Sequence, residues 1–100
     1  MLVVVFRSKL RSEHEREYRV VAERMLELAR QAPGFVSFKS FVAEDGERVS
    51  LIEFESRDAA QKWGDHAEHR DAQKLGRERF FSEYTIQVCP PVRTAEFRRD

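Results

Sequence analysis

Cysteine is nearly absent: Cys89 is the only one in the chain. A single thiol excludes an intrachain disulfide and any thiolate-cluster metal site, which makes the cytoplasm the default expectation for location. Charge imbalance is absent as well, because 18 basic residues are matched by 18 acidic ones. Nonspecific nucleic-acid binding and attraction to anionic membranes need a basic excess, so neither partner is expected. Long apolar runs are missing too. The opening LVVVF is bounded by Arg7 and Lys9 and is too short for a signal-peptide core or a membrane span. There is no internal repeat, low-complexity segment or interdomain linker, so residues 1–100 read as one domain. It is long enough for a single core and short enough for a second copy to cover apolar surface usefully.

What is present is a regular succession of strand and helix patterns. Leu2 to Lys9 is a nearly continuous valine-rich run, the pattern of a central strand covered on both faces. Ser12 followed by Glu15 has the capping-box spacing and predicts a helix start. Tyr18, Val21, Ala22, Met25, Leu28 and Ala29 then build one apolar stripe, with Arg16, Glu23, Arg24, Glu27 and Arg30 on the solvated remainder. Pro33 and Gly34 end this helix. Phe35 to Val42 reads as a second strand, with Val36, Phe38 and Val42 on one face and Phe35 and Phe41 on the other. Asp45-Gly46 is a hairpin signal, and a third strand runs from Arg48 to Glu55, with Val49 and Leu51 opposite Ile52 and Phe54. The hairpin thus presents apolar side chains on both faces.

Ser56 is placed to cap a helical segment, RDAAQKW, that ends near Gly64 and Asp65. Asp65 with Glu68 repeats the capping spacing and predicts a second segment from His66 to about Ser82. Tyr84, Ile86 and Val88 alternate in a last strand, interrupted by Pro90-Pro91. The tail from Val92 to Asp100 is expected at a sheet edge or against a partner. The order strand, helix, strand, strand, helix, strand is that of a ferredoxin-like α+β sandwich with an antiparallel sheet. Two helices cover one face of such a sheet. The other face calls for a facing sheet, and hence for a homodimer with a barrel-like centre.

Chemistry is expected between Leu51 and Tyr84. Trp63, the only tryptophan, is followed by His66 and His69 at three-residue intervals, which puts all three near one face if the region stays helical. His66 and His69 alone are too few to hold a metal ion, and without a third ligand no metal site is expected. Phe38, Phe54, Phe80 and Phe81 either line an apolar small-molecule cavity or fill an ordinary core. Arg70, Arg77 and Arg79 either steer an anionic or enolic substrate or pair with surface carboxylates.

With these residues in view, the chain resembles the antibiotic biosynthesis monooxygenase family of small dimeric α+β barrels. The likeness runs through LVVVFRSKL, APGFVSFKSF and EDGERVSLIEFES, and is most specific in AAQKWGDHAEHRDAQKLGRERFFSEYTIQV. It implies a homodimer acting on a small aromatic or quinol-type molecule, as cofactor-free oxygenases of that family do. Haem-degrading members use a first-strand asparagine, a tryptophan and a later histidine. Trp63 matches the tryptophan, but Phe6 stands at the asparagine position, Gln73 at the histidine position, and the chain has no asparagine at all. Haem is therefore a disfavoured cofactor, and none is expected. His69 falls where some quinone-forming members carry a polar aromatic group, and an imidazole there can remove a phenolic proton near neutral pH. The residue pattern and the resemblance together assign His69 and Trp63 to catalysis and Phe38, Phe54, His66, Arg70, Gln73 and Phe80 to substrate binding. The plainer readings are that His69 is a half-exposed helix residue paired with Glu68 or Arg70, and that Trp63 is a packing anchor.

Overall fold

A computed structural model describes residues 1–100. Strand β1 (Leu2–Leu10) leads through a 3-10 turn (Ser12–His14) into helix α1 (Glu15–Gln31). Strands β2 (Phe35–Val42) and β3 (Arg48–Phe54) follow, then helices α2 (Arg57–Asp65) and α3 (Ala67–Leu75). A single π turn (Gly76–Phe80) leads into β4 (Phe81–Cys89). The four strands form one antiparallel sheet in the order β2-β3-β1-β4, with β1 inside as its valine run predicts. This is the ferredoxin-like α+β sandwich. No helix is long and apolar enough to cross a membrane.

Pairing decides which side chains meet the helices. Val4 lies opposite Ile52 on one neighbour and Val88 on the other, and Phe6 opposite Ser50 and Ile86; with Phe38 beside Ile52, these residues share the helix-covered face. Val3, Val5, Val49, Leu51 and Phe41 take the outer face, interrupted by Arg7, Lys39 and Glu53. Phe54 is completely buried and heads a small core with Ile52 and Ala59, against which Val4, Phe35, Phe38 and Trp63 pack. The core is small because much of the space between sheet and helices is not filled.

Four local expectations are corrected. Phe35 does not share a face with Phe41: the register shifts between Phe35 and Ser37, so Phe35 lies opposite Phe54 and Ser37 opposite Glu53. Val36 is the extra residue of this bulge, exposed rather than aligned with Phe38, and the Phe35 ring packs edge-on against Phe54 at 6.2 Å. The Ser12–Glu15 capping box does not form. Neither the 3-10 turn nor α1 has a side-chain cap, and the Arg11 N–H instead donates to the Phe80 carbonyl at 2.7 Å. Asp65 does not cap α3 either; it ends α2, and His66 is the cap, its Nδ1 accepting from the Glu68 N–H at 3.2 Å. Finally, the last helical stretch stops at Phe80 rather than near Ser82, because the π turn delivers the chain into β4. The exit from α1 follows the sequence: Gly34 takes φ +82, and a side chain there would come within 2.6 Å of Ala59 Cβ.

Candidate functional site

The unfilled space is a cavity of about 320 Å³ between the helix-covered sheet face and the helices. Val4, Phe6, Phe38, Ile52, Ile86 and Val88 form its floor, and Tyr18, Val21, Ala22 and Met25 of α1 form one wall. Arg57, Ala60, Gln61, Trp63 and Gly64 of α2, with His69, Ala72 and Gln73 of α3, form another. Phe80 and Phe81 close one end, where edge-on rings link Phe6 to Phe81 at 5.4 Å and Tyr18 to Phe80 at 5.7 Å. The π turn makes that end possible: a side chain at Gly76 would lie 2.8 Å from the Phe81 ring.

Helix α2 is anchored by Ser56, whose hydroxyl accepts from the Ala59 N–H at 3.1 Å. At His66 the backbone turns extended, with φ −59 and ψ 133, so the three-residue spacing from Trp63 to His69 does not describe a continuous helix face. The break brings only two of the three rings together. Trp63 and His69 stack at 4.1 Å between centroids with 14° between planes, while His66 is exposed and caps α3 outside the main cavity.

The His69 Nδ1 lies 3.0 Å from the Trp63 carbonyl oxygen. A carbonyl can only accept, so Nδ1 carries the proton and Nε2 is the free lone pair of the ring. Burial pushes the His69 pKa below its ordinary value of 6.5; the bond to the Trp63 carbonyl opposes that shift and the neighbouring His66 adds to it. His69 is thus a neutral imidazole of defined tautomer at neutral pH. Its neighbour Glu68 is not its partner. That carboxylate accepts two bonds from Arg24, at 2.9 and 3.0 Å, which hold it below the usual carboxylate range and tie α3 to α1.

Of the other residues singled out from the sequence, Phe38, Gln73 and Phe80 line the cavity with Trp63 and His69. Phe54 lies in the core beneath it. Arg70 is exposed, 3.8 Å from Asp65, and Arg79 binds Glu17 at 2.9 Å. Arg77 reaches the Tyr84 hydroxyl at 3.4 Å. Tyr18, Met25, Arg57 and Gln61 were not anticipated as lining residues. Tyr18 and Met25 belong to a stripe that reads as ordinary packing, whereas Arg57, Gln61 and Gly64 recur at the spacing of one helix face, which is the sequence signal that marks them. Burial raises the Tyr18 pKa, and Arg48 over its ring opposes the shift.

Phe6, Trp63 and Gln73, the positions compared with the haem-degrading triad, all line this one cavity. Gln73 presents an amide rather than an imidazole at the histidine position of that triad, while the His69 Nδ1 is engaged with backbone and its Nε2 is left free. No three His, Cys, Asp or Glu side chains come together as a metal-binding group. Phe6, Trp63 and Gln73 therefore do not reproduce the haem-degrading triad.

Comparison with known proteins agrees with the fold. Residues 1–75 match the family model described as antibiotic biosynthesis monooxygenase. The uncharacterized protein YqjZ of Bacillus subtilis (strain 168) is 33% identical over 97 residues, which cover 97% of this chain and 84% of YqjZ. Among solved structures, Rv0793 from Mycobacterium tuberculosis superposes with a TM-score of 0.81 at 20% identity, covering 95% of this chain and 98% of that one. A mutant form of SnoaB, a cofactor-independent oxygenase from Streptomyces nogalater, superposes with a TM-score of 0.78 at 16% identity, covering 93% of this chain and 94% of that one. With the match across residues 1–75 and the relationship to YqjZ, the chain belongs to the antibiotic biosynthesis monooxygenase family.

Proposed function

We propose that the protein is a homodimeric oxygenase that uses dioxygen without a cofactor on a small, flat aromatic or quinol-type molecule. The observation that carries this reading is the stack of His69 on Trp63 in the wall of an apolar cavity, with the His69 Nδ1 held at the Trp63 carbonyl. A volume of about 320 Å³ lies at the low end for small-molecule sites and suits a ligand of about two or three fused rings.

In the proposed reaction the His69 Nε2 takes a proton from the acidic position of an electron-rich phenol or anthrone. The resulting anion passes an electron to dioxygen, and the two combine as a peroxide anion. The imidazolium returns its proton to give the hydroperoxide, and loss of water leaves a carbonyl. One oxygen atom ends in the product and one in water, and the two bonds to hydrogen broken in the substrate, two C–H in an anthrone or one O–H and one C–H in a phenol, supply both electron pairs. The protein's part is to remove the first proton, hold the anion against the edges of the stacked Trp63 and His69 rings and exclude water. A pKa below 6.5 makes His69 a weaker base but keeps it unprotonated at neutral pH.

The alternative is a noncatalytic dimer that binds a similar molecule. The engagement of Nδ1 with the Trp63 backbone favours it, because that bond also serves a purely structural stack. Oxygen uptake with a panel of polycyclic phenols separates the two. Catalysis predicts one dioxygen consumed per substrate, undiminished by a chelator and lost in His69→Gln. No uptake above buffer across the panel, with binding retained, would establish the binding protein instead.

A further inference from the structure

The proposed reaction does not say what a substrate carries besides its rings. The cavity lining contains no carboxylate and only one residue with a fixed charge, Arg57. None of the chain's ion pairs uses it. The other arginines near the site are engaged elsewhere: Arg70 lies beside Asp65, Arg79 beside Glu17, Arg77 at the Tyr84 hydroxyl and Arg48 over the Tyr18 ring. Arg57 is also the first residue of α2, where the helix dipole presents positive charge and an arginine is disfavoured. A residue that breaks a local rule without a protein partner to compensate marks a place where function sets the choice.

The spacing along α2 adds a dimension. Arg57, Gln61 and Gly64 share the cavity side of the helix with Ala60 and Trp63. Arg57 precedes Trp63 by six residues, which at 1.5 Å per residue is roughly 9 Å along the axis. A fused aromatic lying against Trp63 and His69 and running along the α2 axis would span that distance toward Arg57, an exposed member of the cavity lining.

We propose that Arg57 selects a flat aromatic acid, its carboxylate held by the Arg57 guanidinium at one end of the cavity while the opposite ring meets Trp63 and His69. This rests on the reading that the cavity takes an aromatic molecule. The planar fork of arginine suits a carboxylate, which can accept two parallel bonds from it.

Trp63, the only tryptophan, supplies the readout through quenching of its fluorescence. The probes are 6-hydroxy-2-naphthoate and 2-naphthol, identical in rings and hydroxyl and differing in the carboxylate. In the unmodified protein the acid is expected to bind about tenfold more tightly, the lower range for one charge-assisted contact. In Arg57→Gln that preference should vanish while the affinity for 2-naphthol stays unchanged, and added salt should weaken only the acid in the unmodified protein. If 2-naphthol binds and the acid binds no better, or if R57Q weakens both alike, Arg57 is not an anion anchor and the aromatic cavity stands. If neither probe binds, both readings fall.

Discussion

At the scale of single residues, His69 is where burial and function meet. Above its ordinary pKa of 6.5 the imidazole is neutral in folded and unfolded chains alike. As pH falls below that value the unfolded chain takes up a proton before the folded one does, so stability drops until the lowered folded pKa is passed. Urea unfolding at about pH 7.5 and about pH 5.5 should therefore show a larger acid-induced loss for the unmodified protein than for His69→Gln. Equal losses would mean that His69 is not desolvated. The same reasoning predicts oxygen uptake that rises with pH through a value below 6.5 and is level at neutrality. Gln73 makes a separate prediction: haem should bind weakly, and its visible absorption should persist when reductant is added. Enzymatic bleaching of a tight complex would contradict it. The sequence made Trp63 and His69 legible because a lone tryptophan and a titratable ring stand out. It did not reveal Arg57, since one arginine in a chain rich in them carries no mark until its lack of a partner is seen.

At the scale of elements, most of the order was legible and the junctions were not. The hairpin, the central first strand and the break after α2 follow from Asp45-Gly46, the valine run and Gly64-Asp65. The β2 bulge was hidden because FVSFKSFV alternates acceptably in either register, and only pairing with Phe54 shows that Phe35 turns inward. The cap of α3 is not legible in the sequence because Asp65 is the more usual capping type, whereas the backbone turns at His66. Two substitutions test how the wall is held. Ser56→Ala, which removes the cap of α2, should cost about 1 kcal/mol in chemical denaturation. Gly34→Ala should cost roughly 2 kcal/mol or more, since it adds a contact with Ala59 to the strain of a positive φ. Gly46→Ala, at φ +89 with open space around it, should cost only the strain, about 1 kcal/mol. Equal costs at the two glycines would show that the approach of Gly34 to α2 is not tight.

At the scale of the whole molecule, the helix-covered face is occupied by cavity and core, and Val3, Val5, Val49, Leu51 and Phe41 form the outer face on which the proposed homodimer would close. Sedimentation at micromolar concentration should give twice the monomer mass. Leu51→Glu or Phe41→Glu should shift it toward monomer, whereas Phe54→Glu should unfold the chain by placing a charge in its core. A stable monomer of the unmodified chain would remove the facing sheet. The most direct test of the central claim is the fate of the oxygen atoms. With the metal-stripped protein, an anthrone and dioxygen labelled with the heavy isotope, mass spectrometry of the product above the protein-free background should find one labelled atom in the quinone carbonyl. That label should fall to background with His69→Gln. A product without label, or labelling that is indifferent to His69, would contradict oxygenation at this site.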